Sequence, residues 1–570
     1  MPSLRRAFWF WNQNNRGTGD AHAMRAIDRC ARWRTGNTSN PRSSCGCERR
    51  ESARRQALAP SRLHIRLTIS TPVGASAGVR LTPSPRARYR SDVNTEKVSQ
   101  VRALRDRLDH PVVDADGHLV EPAPLFNEYL QKIGGGGMLE RYNRELREHP
   151  TGSRGNRDAG DMRGAWWGVV NDAYDLATVM APRLLYSRLN DLGVDFSILY
   201  PTLGLALPTI HDDEVRRIAC RALNTMNAEI CGHFRDRIAP AAAIPMHTPD
   251  EAIAELEYAA RLGLKVAMIP PGVARPIPAL EHDHPEAFPN AAYFDCYGLD
   301  SFFDYDPVWR KFVQLKIAVT SHGGVGLRYL PLGRRSPTNY MFNHIGAHAY
   351  QQGELCRSIV MGGVATRFPE LTFGFLECGA GWACDLLHSL EEHWEKRNVA
   401  GLVNYDPSRL DRPRLHQLLA EYGGPEFIAK NSARAVRAYD EGLERHDRAA
   451  DRDEWALTGV RDEHDFARIF GNFYFGCEAD DLSVHRALDA RANPMRTRLQ
   501  PIFSSDIGHW DVPDISTVLL ESHRLVDKGL LSDADYRDFV FTYPAQLHLK
   551  ADPEFFASTA IAGSVATLNA

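Results

Sequence analysis

The chain has no lysine before Lys97, no Cys-x-x-Cys pair, no secretory apolar core at its start and no Gly-x-Gly-x-x-Gly after its first strand-like run. Nor does it contain an apolar run of about 18 residues, the length a bilayer-spanning helix needs. Each absence excludes a class. The seven cysteines beyond residue 95 (Cys220, Cys231, Cys296, Cys356, Cys378, Cys384 and Cys477) are scattered and odd in number, which removes a disulfide framework and a thiolate zinc site. Without the glycine fingerprint, an open dinucleotide-binding sheet loses its main support.

What is present is an ordinary globular composition with an uneven distribution of charge. The 570 residues are 43% hydrophobic and 25% charged, with a net charge of −4. Residues 1–95 hold 18 Arg and five acids, a balance of +13, so the other 475 residues carry −17. Basic residues that are all Arg are odd for a selected nucleic-acid surface, which normally mixes Arg with Lys. The same segment shows no sustained apolar period and cannot bury enough surface to offset its chain entropy. It reads as a disordered or spurious N-terminal extension. Residues 96–570 then form the folded body, and nucleic-acid binding loses its support.

Beyond residue 110 one pattern repeats: a short apolar run, then a helix-period segment. The runs are Pro111–His118, Val194–Pro201, Ile238–Pro245, Leu264–Pro270, Ile317–His322, Leu371–Glu377, Asn472–Glu478 and Pro501–Asp506. Continuous apolar runs mark strands buried on both faces, as in a parallel sheet covered by helices. Helices are expected over 183–192, 214–234, 249–262, 307–315, 354–368, 382–396 and 515–528. Eight strands with right-handed helical crossovers predict an α/β fold, a (β/α)8 TIM barrel. Two insertions enlarge it: a long loop at 119–182 after strand one, carrying Gly134–Gly137, and a charged helical insertion at 398–470 between strands six and seven, expected to act as a lid or dimerisation element.

In such a barrel the chemistry gathers where the strands end. Strand one ends Asp114-Ala115-Asp116-Gly117-His118, strand five Ser321-His322, strand six Glu377 and strand eight Ser504-Ser505-Asp506. Asp116 and His118 are two apart and leave an extended strand on one face, with Asp114 deeper on the same face. Two imidazoles and two carboxylates (His118, His322, Asp116 and Asp506) suit one divalent ion, most readily Zn, with Mn or Fe as alternatives. A cation also removes the desolvation cost of clustered acids. A lone strand-end histidine is more often a hydrogen-bonded core residue, so the weight rests on the joint pattern.

At these residues the sequence resembles a family. VDADGHLVEP (113–122), the block from His348 to Trp382 and IFSSDIGHWD (502–511) are similar to the amidohydrolase-related family. That metal-dependent barrel group includes aminocarboxymuconate semialdehyde decarboxylase. The resemblance spans roughly residues 110–550 and implies a distorted barrel, one divalent metal and frequent homodimers. By position it makes Asp116, His118, His322 and Asp506 the metal ligands, with Asp506 also a proton-transfer group. The chain departs from the decarboxylase at Asp116, where that enzyme has His, and at Glu377, where its sixth-strand catalytic His would stand. Glu377 is therefore a substitute base, an extra ligand or a structural acid.

Two reactions fit one constellation. In a hydrolase a metal-activated water attacks a polarised carbonyl while Asp506 or Glu377 takes the proton, with His322 holding the ion. In a non-oxidative decarboxylase the same site orients a carboxylate and an acid protonates carbon. Hydrolysis of a small carboxylate-bearing or aromatic compound is the first expectation, because the sixth-strand His is missing. His344, Arg275 and His509 are expected to bind substrate, with His348 and Trp510 as further pocket residues. The aromatics Trp166, Trp167, Tyr293, Phe302 and Phe303 point to an apolar substrate. A non-catalytic barrel that binds a partner through the 398–470 insertion is the reading of another class. The expected setting is a cytoplasmic homodimer with a small-molecule substrate, no nucleic acid and no membrane.

Overall fold

The structure, a computed structural model, describes residues 95–148, 162–165, 172–288, 290–323, 334–424 and 452–568, with isolated positions 434 and 437. The extension expected over 1–95, apart from Thr95, lies outside the described residues, as do Trp166, Trp167 and most of 425–451. Residues 84–570 make one compact unit.

Eight parallel strands form one sheet: β1 (Val113–Leu119), β2 (Phe196–Pro201), β3 (Ile238–Ala243), β4 (Val266–Ile269), β7 (Val319–His322), β8 (Phe373–Leu376), β9 (Phe473–Glu478) and β10 (Gln500–Ser504), in that spatial order. β5 (Val273–Pro276) and β6 (Ala292–Asp295) pair separately as an antiparallel hairpin between β4 and β7. The first and last strands meet through main-chain bonds: Asp506 N donates to Asp116 O at 3.0 Å and His118 N to Ile507 O at 2.9 Å. The sheet is thus a barrel of the expected (β/α)8 kind. Alternate strand residues enter different apolar clusters, Leu199, Ala242 and Ala267 in one and Ile198, Ala241 and Met268 in the other, so both sheet faces are buried as the continuous apolar runs require.

The helices follow the sequence signals closely. α1 (Thr95–Arg105) precedes the barrel, and the insertion after β1, expected as a long loop, instead carries three helices, α2 (Ala123–Gly134), α3 (Met138–Glu148) and α4 (Ala173–Met180). α5 (Pro182–Leu192), α6 (Asp213–Ile230), α7 (Pro249–Arg261) and α8 (Asp306–Leu315) are crossovers. α7 starts with Pro249 after a Thr248–Glu251 capping box, which satisfies the free amides of its first turn. One expected helix differs. Instead of 354–368 there are α9 (Tyr340–His344), α10 (Ala347–Met361) and a short turn at Val364–Arg367, because Gly363 takes φ 69° and stops the helix. α11 (Gly381–Arg397), α12 (Arg412–Tyr422), α13 (His464–Phe470), α14 (Val518–Asp527) and α15 (Tyr543–Leu549) complete the set used below. α12, in the second insertion, buries none of its residues.

Candidate metal centre

β1 is irregular between Asp114 and Gly117, where its register against β2 shifts. The shift separates roles that plain alternation would merge. Asp114 accepts from Ser197 Oγ at 2.7 Å, Ser505 N at 2.9 Å and Ser505 Oγ at 2.8 Å, and so ties β1 to β2 and to the end of β10. Its carboxylate lies where a side chain at 117 would go: a Cβ on Gly117 would stand 2.5 Å from Asp114 Oδ2. Asp116 makes no such bonds; both its carboxylate oxygens are buried without a hydrogen-bond partner.

Five polar atoms converge beyond Asp116. His118 Nε2 and His322 Nε2 are 3.1 Å apart. Asp116 Oδ1 is 3.5 Å from the first and 3.6 Å from the second. Asp506 Oδ1 is 3.5 Å from His118 Nε2, and Glu377 Oε2 is 3.4 Å from His322 Nε2. His322 donates Nδ1–H to Gly323 O at 3.1 Å, which leaves its Nε2 lone pair toward the group. The chain reaches this arrangement by ending two strands with left-handed residues: Glu377 and Asp506 both have φ 48°, which turns each carboxylate inward just beyond β8 and β10.

Further groups surround these five. His348 Nδ1, from α10, lies 3.1 Å from Glu377 O and 3.2 Å from Glu377 Oε1. His509 Nδ1 is 2.7 Å from Asp506 Oδ1, and its ring lies 3.7 Å from that of His118. His344 packs 5.0 Å from His348 and 5.5 Å from Trp510, centroid to centroid. Glu478, Asp506 and Asp511 form a neighbouring acidic group.

Burial dominates the electrostatics. It holds His118 well below the usual imidazole range and lowers His322 to about 4. Burial followed by the Glu377 charge pushes Asp116 and Asp506 well up. Burial would likewise raise Glu377, but the surrounding histidines, His348 foremost, hold it well below the carboxylate range. The converse holds for His348: burial would lower it, and the Glu377 carboxylate raises it to about 9. Glu478 is pushed up to about 8 by burial and by Asp511.

These residues fit a divalent ion. Both oxygens of Asp116, Asp506 Oδ2 and Glu377 Oε2 are buried and lack any hydrogen-bond partner, a costly state for acceptors that only a cation or a proton relieves. The 3.1–3.6 Å separations match the roughly 3.4 Å between donor atoms that share one ion at about 2.1 Å. The donors, imidazole nitrogen and carboxylate oxygen, suit zinc, manganese or iron.

The structure therefore brings together Asp116, His118, His322, Asp506, Glu377, His509 and His344. Arg275 is placed differently. It lies on β5, buried, and its guanidinium bonds to Asp295 at 3.1 Å, Tyr305 Oη at 2.9 Å and His247 O at 2.7 Å. Phe302 and Phe303 stack on that same guanidinium, so these aromatics brace the β5–β6 hairpin. Sequence reasoning did not single out Tyr200, Glu478 or Asp511. Tyr200 and Glu478 stand in the last two positions of their strands, the signal that would have found them, and the Tyr200 ring lies 5.8 Å from that of His322.

The amidohydrolase family model matches residues 114–426. No curated protein sequence matches the chain. Among solved structures, an amidohydrolase from Mycobacterium avium subsp. paratuberculosis K-10 is similar at 14% identity and TM-score 0.45, covering 77% of this chain and 100% of its own. A 5-carboxyvanillate decarboxylase from Novosphingobium aromaticivorans, solved with manganese, matches at 14% identity and TM-score 0.40 over 77% of this chain and 96% of its own. A 2,6-dihydroxybenzoate decarboxylase from Rhizobium matches at 15% identity and TM-score 0.37 over 77% and 98%. With its strand-end acids and histidines in one cluster and the family model matching residues 114–426, from the first barrel strand past the sixth, the chain belongs to the amidohydrolase family.

Proposed function

We propose that the protein hydrolyses a small, uncharged carbonyl compound, with Asp116, His118, His322 and Asp506 holding a divalent ion, zinc in first place. One observation carries the choice of substrate charge. Among the described residues, the ion pairs of Asp116, Glu377 and Asp506 run only to histidines, and Arg275, the expected carboxylate partner, is engaged by Asp295. A substrate carboxylate would meet clustered acids that have no guanidinium paired with them among the described residues. A carboxylate-bearing substrate belongs to the second reading, decarboxylation.

When bound, the ion supplies Lewis acidity and brings the pKa of water from about 16 toward 7. The chain supplies the rest. Asp506, whose carboxyl burial pushes up, accepts the proton of the attacking water on Oδ2, which has no hydrogen bond. His509 Nδ1, 2.7 Å away, holds that carboxylate in place. Glu377, fixed by His348, lies 3.4 Å from His322 Nε2 beside the same centre, and the surrounding histidines keep it ionised. Decarboxylation is the second reading, and His348 favours it: an imidazole raised to about 9 is both a cation for a carboxylate and an acid for carbon.

Purified full-length protein should carry at least about one equivalent of zinc, manganese or iron, falling below about 0.2 in His322→Ala. An unchanged metal content in that variant would refute the ligand set. With the loaded enzyme, aryl esters and lactones in 18O-labelled water should give labelled acid and no carbon dioxide. Carbon dioxide release from hydroxybenzoates, abolished by Asp506→Asn, would overturn hydrolysis in favour of the second reading.

A further inference from the structure

One buried amide adjoins the converging group without belonging to it. Gln352, on α10, is fully buried; its Nε2 donates to Ser321 O at 2.9 Å, and its Oε1 is buried with no hydrogen-bond partner. The Ser321 carbonyl belongs to the peptide bond that enters His322, whose Nε2 lies 3.1 Å from His118 Nε2. Burying a side-chain amide costs free energy through desolvation and lost rotamer freedom, and here the amide oxygen recovers none of it. Docking of the helix is already served by Leu355, Cys356, Ile359 and Val360, all buried in the larger apolar cluster.

The same helix face holds more of the site. His348 lies four residues before Gln352, which places both side chains on one side of α10. Its Nδ1 meets Glu377 O, just beyond β8, at 3.1 Å. Its ring also passes Gly323, where a Cβ would stand 3.3 Å from His348 Cγ. One face of α10 therefore touches both chain neighbours of His322. The His322 ring is pinned to the main chain by its Nδ1–H bond to Gly323 O, and that main chain is pinned at Ser321 by Gln352. Groups that orient a ligand from outside change metal affinity by about 10- to 100-fold when removed.

We infer that Gln352 is a positioning residue for His322, and through it for the divalent ion, acting by its hydrogen bond to the Ser321 carbonyl. The inference rests on His322 holding the ion as proposed above.

The test uses the full chain, stripped with chelator and titrated with Co(II), whose visible absorption reports the number and arrangement of its ligands. Gln352→Met keeps the length of the side chain and removes the donor. It should bind Co(II) about 10-fold more weakly than wild type, with altered band positions or intensities. Ile359→Ala, a core truncation on the same helix, should lower the thermal midpoint and leave affinity and spectrum as in wild type. Wild-type affinity and spectrum in Gln352→Met would overturn the inference, whatever the thermal midpoint of that variant. An equal change in Ile359→Ala would also overturn it, since general loosening of α10 would then account for both. Should Gln352→Met fail to fold, Gln352→Leu carries the same expectation and the same refuting result. A wild-type chain that binds no Co(II) would sink the ion reading and this inference together, whereas failure in the variants alone leaves the centre standing.

Discussion

Asp114 shows how much a residue outside the cluster can decide. It is as buried as the ligands, yet its oxygens are spent on Ser197 and Ser505, the residue before Asp506. Asp114→Ala should destabilise the metal-free protein by about 2–4 kcal/mol, since it strips partners from two buried hydroxyls and an amide. It should also weaken metal binding about 10- to 100-fold by freeing the segment that aims Asp506. Urea unfolding and metal titration check the two effects, and an unchanged unfolding midpoint would contradict the bracing role. The identity of the converging residues was legible because each ends a β-rich run. The split between Asp114 and Asp116 was legible as depth along the strand, whereas the register shift in β1 and the bonds of Asp114 to Ser197 and Ser505 were not, because strict alternation cannot reveal them.

At the scale of elements, the eight barrel strands were legible because burial on both faces leaves continuous apolar runs, and they were located to within about two residues at most ends. The β5–β6 hairpin was not legible. Its strands are four residues each, flanked by prolines, and it is held by the buried Arg275–Asp295 pair that links residues 20 apart. The break between α10 and the turn after it is likewise a tertiary matter. Gly363 sits at φ 69°, where a Cβ would come within 2.0 Å of Leu457 O, so the close approach of the Leu457 segment at this point requires a glycine. Gly363→Ala should cost about 2–4 kcal/mol through backbone strain and displacement of the Leu457 segment, read as a lowered thermal midpoint.

For the whole molecule, acid stability is the accessible test. His548 on α15 is fully buried against Phe555, with neither ring nitrogen hydrogen-bonded, and burial lowers it to about 3. The unfolded chain, with an ordinary imidazole near 6.5, binds the proton first. Stability contributed by the neutral ring is therefore full above pH 6.5 and is lost as pH falls toward 3, at up to about 1.4 kcal/mol per pH unit. Unfolding of His548→Leu between pH 6.5 and 4 should show a slope shallower by one proton; parallel slopes would contradict it. Every barrel element lies in the unit at residues 84–570, and the first 95 residues carry the opposite charge balance. A chain beginning at Val93 should therefore keep its metal content and its thermal midpoint within about 2 °C. Loss of either would make the Arg-rich segment part of the fold.

The sequence by itself determined the barrel, the family and the candidate ligands Asp116, His118, His322 and Asp506. Strand burial and strand-end chemistry are local patterns that composition and spacing carry. Only the tertiary structure decided which acids share one point, that Arg275 serves a hairpin, and that His344, His348 and Glu377 adjoin the centre. Those relations depend on left-handed turns at Glu377 and Asp506 and on contacts between residues far apart in the chain, which no local pattern encodes.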